Sequence, residues 1–108
     1  MKPTLAFAAL TLLATPAAAE QKSIEFCTGM GEIAQLVMET RQIGAPLHAV
    51  ANDLGGRLDG AELDLALALT EAAYNQPLFS SDEYKQRAAF EFANDVFRLC
   101  REPTSTPC

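Results

Sequence analysis

Three cysteines, Cys27, Cys100 and Cys108, constrain this 108-residue chain more than any other feature. Cys27 opens the first apolar helical stripe and Cys100 closes the last, so antiparallel packing of those helices brings the two sulfurs to one end of a bundle. In the chain-entropy view a bridge between them contributes roughly 4 kcal/mol, whereas one from Cys100 to Cys108 closes a short loop worth about 2.5 kcal/mol. A small domain is stable by only about 5–10 kcal/mol, so that difference matters. The expected pair is Cys27 with Cys100, leaving Cys108 as a candidate free thiol. None of the three stands in a C-x-x-C motif or beside a base, as a redox catalyst requires.

Such a bridge persists in an oxidising compartment, and the N-terminus reads as a route to one. The segment "MKPTLAFAALTLLATPAAAE" holds a lysine, an apolar run from Leu5 to Ala14, then Pro16 and three alanines. That is the layout of a secretory signal peptide, residues 1–19, with cleavage after Ala19. The apolar run falls well short of the roughly 20 residues that span a bilayer. A periplasmic or secreted location is therefore expected, with a helical domain over residues 20–102 and a loose polar tail over 103–108.

Removal of the leader takes Lys2 with it, and 7 basic against 14 acidic residues leave a charge of −7 with His48 neutral. That surface repels nucleic acid and anionic lipid, so neither is an expected partner.

Helical periodicity accounts for the rest of the chain. "FCTGMGEIAQLVMETRQIG" carries an apolar stripe through Cys27, Met30, Ala34 and Val37, with Gly44 placed for a left-handed cap. Gly29 and Gly31 weaken its first turns by roughly 0.5–1 kcal/mol each. "APLHAVANDLGG" reads as a short helix with Pro46 in its first turn. "DGAELDLALALTEAAYNQP" begins at Asp59 as N-cap and stops before Pro77. The leucines at 63, 65, 67 and 69 alternate like a strand, but Ala and Leu are strong helix formers. Being apolar on nearly every side, this helix is expected at the buried centre. "SSDEYKQRAAFEFANDVFRLCRE" suggests a capping box from Ser80 to Glu83, a face through Ala89, Ala93, Val96 and Cys100, and Arg98 and Arg101 at the negative end. The fold class is thus an all-α, disulfide-tied bundle of about four helices.

"VMETRQIGAPL", "EAAYNQP" and "KQRAAFEFANDV", set between Cys27 and Cys100, resemble a family of short exported helical proteins of proteobacteria with no established activity. The resemblance covers nearly all of the domain but not the tail. It implies a helical fold tied by Cys27 and Cys100, brings no catalytic residue, and leaves Cys108 outside its pattern.

The residues themselves offer little chemistry. His48 is the only histidine and has no second ligand at zinc spacing. "NDLGGRLDGAELD" fails as a calcium loop, because Ala51 and Gly55 occupy positions that need oxygen side chains. No G-x-S-x-G or phosphate loop occurs, and paired carboxylates such as Glu91 with Asp95 read as solvated helix faces. No catalytic residue, metal ligand or cofactor is assigned, and the chain is expected not to be an enzyme. Arg41, Gln42 and Tyr74 mark a candidate partner surface. Arg41 suits either a bidentate clamp on a carboxylate or a cap on the last carbonyls of its own helix.

The expected role is a small binding or accessory module for another exported protein. The alternative is an acid-stress holdase, its charge swinging from −7 toward about +8 on protonation and baring Phe90, Phe92 and Phe97. A metal protein or enzyme is the remaining class. The export reading predicts that intact mass of the product recovered outside the cytoplasm corresponds to a chain beginning at Glu20; a product retaining Lys2 contradicts it.

Overall fold

The computed structural model describes residues 21–103; the expected leader 1–19, Glu20 and residues 104–108 with Cys108 lie outside the described residues. The described chain is all-helical: α1 (Ile24–Gln42), α2 (Leu47–Gly55), α3 (Gly60–Tyr74) and α4 (Asp82–Arg101).

Each boundary has a local cause. Ser23 starts α1 earlier than the expected Phe26, its hydroxyl accepting from the Phe26 N–H at 3.0 Å. At the other end Gly44 takes φ +88°, with Gly44 N–H bonded to Arg41 O and Ala45 N–H to Thr40 O. These two bonds form the Schellman closure that the glycine permits. Pro46 is the N-cap of α2 rather than part of its first turn, and Asp59 caps α3 by position without a side-chain bond. The expected Ser80–Glu83 capping box does not form. Ser81 is the cap, accepting from Tyr84 N–H at 3.1 Å, and Glu83 pairs with Arg87 instead. Phe79, two residues before that cap, donates its N–H to the Gln42 side chain at 3.0 Å.

The buried centre is α1, not α3. Along α1, Cys27, Met30, Ala34, Val37 and Met38 are buried, and α4, α3 and α2 all pack against it. α4 runs antiparallel to α1 along its whole length. The two approach closely at Gly31, where an added Cβ would stand 3.4 Å from Ala93 O and 3.7 Å from Phe97 Cβ. The glycine that weakens α1 as an isolated helix is therefore what lets α4 close on it.

α3 runs parallel to α1, since Arg41 reaches Gln76 near one end while Met30 and Leu65 share a groove at the other. It meets α1 through small residues: Ala66, Thr70 and Ala73 have no exposed surface. At about 100° per residue, the four leucines split to either side of that seam. Leu63 and Leu67 pack against the core cluster to which α2 contributes Val50 and Leu54. Leu65 and Leu69 lie on the opposite flank, and Leu65 remains 40% exposed. The strand-like alternation is thus two helical stripes, and small seam residues rather than the leucines bring α3 to the centre.

Cys27 and Cys100 stand at disulfide distance, with sulfurs 2.05 Å and Cα atoms 5.6 Å apart across a separation of 73 residues. Polar bonds close the same end: the Gln21 amide donates to Arg101 O, and the Arg101 guanidinium donates to Lys22 O. Replacing both Cys27 and Cys100 with serine is expected to lower stability by about 4 kcal/mol, read from the urea midpoint, since the link closes most of the domain into one loop. A loss below about 1 kcal/mol would show that the link is incidental.

Candidate functional site

Two features gather polar or exposed apolar side chains: a hydrogen-bonded hub at the C-terminal end of α1, and a groove between α3 and α4.

The hub brings together Arg41, Gln42 and Tyr74, and occupies their polar groups internally. The Arg41 guanidinium donates to Gln76 O at 3.2 and 2.9 Å and lies 5.2 Å from the centroid of the Tyr74 ring. It therefore does not cap its own helix; it ties α1 to the chain leaving α3. Gln42 is 2% exposed. Its amide donates to Pro77 O at 2.8 Å, its side-chain oxygen accepts from Phe79 N–H at 3.0 Å, and its main-chain oxygen accepts from Lys85 Nζ at 2.9 Å. Such enclosure removes Gln42 from the expected partner surface and makes it the fastening of the α3–α4 connection. An unmet buried donor or acceptor costs about 1–3 kcal/mol, so this one side chain holds two main-chain groups that have no helical partner. Tyr74 donates its hydroxyl to Ala45 O at 2.6 Å. Burial pushes the Tyr74 phenol above its ordinary value of 10.0, and the Arg41 charge draws it part of the way back.

The groove was not legible as a site. α3 and α4 both lean on α1 but scarcely meet each other, leaving an open recess of about 490 Å³ at the disulfide end. Met30 and Phe26 of α1, Leu65 and Leu69 of α3, and Val96 and Leu99 of α4 supply its apolar lining. Phe26 is 42% and Leu99 61% exposed, a large apolar display for so small a domain. One turn along α4 from Val96, Phe92 begins a second recess of about 330 Å³, whose lining includes Met38 and Ala88 and the charged Arg87, Glu91 and Asp95. Ala88, Phe92, Val96 and Leu99 therefore form one stripe of α4 beside both recesses. The sequence signal was present in the leucine pair at 65 and 69, which the α1 seam leaves over.

Elsewhere the residues weighed for chemistry are solvated. His48 is exposed in the first turn of α2, and Asp53, from the would-be calcium loop, pairs with Arg57 at 3.1 Å on the surface. No group of three or more metal-ligating side chains occurs among the described residues. No described helix is long and apolar enough to cross a membrane. Comparison with protein-family models, curated proteins and solved structures yields no match to this chain.

The Tyr74 hydroxyl bond makes a pH prediction. A phenol whose pKa is raised in the folded state contributes stability below about pH 10 and loses it as pH rises through the folded value. The wild-type unfolding midpoint should therefore fall above about pH 10 more steeply than that of Tyr74→Phe. At neutral pH the variant should be less stable by roughly 1 kcal/mol, the worth of one hydrogen bond. Parallel alkaline profiles of the two proteins would show that Tyr74 is not the group responsible.

Proposed function

We propose that this chain is an exported, non-catalytic binding module that docks another exported protein through the groove between α3 and α4. The observation that carries the reading is the apolar lining around Met30, Leu65 and Leu99, open to solvent on a chain of formal charge −6. Exposed apolar surface of this extent costs solubility, and a partner that covers it recovers the burial at roughly 25 cal/mol per Å². A tether at disulfide distance suits an oxidising compartment, and the leader-like N-terminus agrees with delivery there.

The acid-holdase alternative has a less specific support. Phe90 is already 47% exposed, and every described aspartate and glutamate lies on the surface, so protonation there acts only through net repulsion. The groove, by contrast, is a localised feature of the folded state at neutral pH.

Site-directed photocrosslinking tests the docking reading. With benzoylphenylalanine at Leu69 in the producing cell, a discrete adduct with another exported protein is expected, and none with the same group at exposed Glu32. No adduct at Leu69 across growth conditions overturns the reading.

A further inference from the structure

We infer that the Cys27–Cys100 link exchanges with thiols from one side only: an incoming thiolate joins Cys100, and Cys27 is the thiol released. This goes beyond docking and stands whether or not the groove has an occupant. The two sulfurs are not equivalent in this fold. Cys27 has no exposed surface and lies on the buried stripe of α1. Cys100 is partly exposed and lines the open recess of about 490 Å³, beside Val96 and Leu99, whereas Cys27 does not line it. Exchange requires the attacking sulfur to reach one member of the pair, in line with the bond that breaks, so access selects between them. A thiolate entering from solvent meets Cys100; to reach Cys27 it would have to pass through packed helices.

The step balances within the reacting sulfurs. A bond forms between the incoming sulfur and Cys100 Sγ, the Sγ–Sγ bond breaks, and its electron pair leaves with Cys27 Sγ, which takes a proton from water. The reverse attack by Cys27 restores the link and expels the incoming thiol. Cys100 is thus the position that carries the mixed disulfide, and Cys27 is the resolving thiol.

Leaving-group strength does not reverse this order. Cys27 stands in the first turn of α1, where the helix favours a thiolate, and Cys100 in the last turn of α4, where it disfavours one. Burial of Cys27 and the charge of Glu25 in the same turn work against that preference, as do Arg98 and Arg101 near Cys100. These influences offset one another, and access decides. The thiolate has two sources: another molecule entering the recess, or Cys108, eight residues further along the chain. A loop that short closes at modest entropic cost.

The test uses the whole oxidised protein carrying Cys108→Ser, which leaves the single link and no other cysteine. Sulfite is the probe, because it opens a disulfide as a thiolate does and leaves a stable S-sulfonate on the sulfur it attacks. After brief exposure at neutral pH and an acid quench, peptide mapping should find the S-sulfonate on Cys100 over Cys27 by about tenfold or more. In urea strong enough to unfold the chain, the preference should shrink to about twofold or less, because both sulfurs are then open to attack. Equal labelling of the native protein, an excess on Cys27, or a preference undiminished in urea overturns the inference.

Wild-type protein held without added thiol identifies the source. A Cys100–Cys108 link with Cys27 as the thiol assigns the attack to the chain's own tail. Retention of Cys27–Cys100, with sulfite still directed to Cys100, assigns it to another molecule. A Cys27–Cys108 link contradicts one-sided exchange and overturns it.

Discussion

The link between Cys27 and Cys100 fixes the antiparallel register of α1 and α4, and the remaining packing is arranged around that pair. With Cys27 opposite Cys100, Gly31 falls opposite Ala93 and Phe97, and Gln42 falls beside Lys85. A slip of one residue would turn a larger α1 side chain into the position where Gly31 admits the α4 backbone. The covalent tether and the glycine contact therefore enforce the same alignment by different means. One limits the unfolded ensemble, and the other sets how closely two helices can pack in the folded one.

At the opposite end the alignment is held without covalent bonds. Gln42 binds Pro77, Phe79 and Lys85, and Arg41 binds Gln76, so the connection between α3 and α4 is anchored to the last turn of α1. Net hydrogen-bond energies are small, but a buried amide that satisfies two loop groups specifies one path for the chain where an apolar residue would tolerate several. The groove depends on both fastenings, because α4 pinned at each end of α1 cannot swing toward α3 and close the gap.

The helices and the cysteine pair were legible in the sequence because each leaves a periodic or categorical mark: apolar spacing along α1 and α4, Gly44 after the last turn, cysteines at the outer ends. The interior order was not. Hydrophobicity placed α3 at the centre, whereas burial follows how closely a helix can approach, and Ala66, Thr70 and Ala73 give α3 a thin seam with leucines to either side. The Arg41 and Gln42 pair stood out as polar residues near a chain break, but their partners are main-chain oxygens and an N–H 35 to 37 residues away, which carry no side-chain signature.

The position of Cys100 in the last turn of α4 also sets an order of events in biogenesis. No other cysteine lies between Cys27 and Cys100, so no wrong disulfide can form within that stretch before Cys100 has been made. Closure of the ring is thereby postponed until α4 has been made. By then the Schellman turn at Gly44 and the α2–α3 packing are encoded in completed chain, and oxidation seals a nearly assembled molecule rather than steering a partial one.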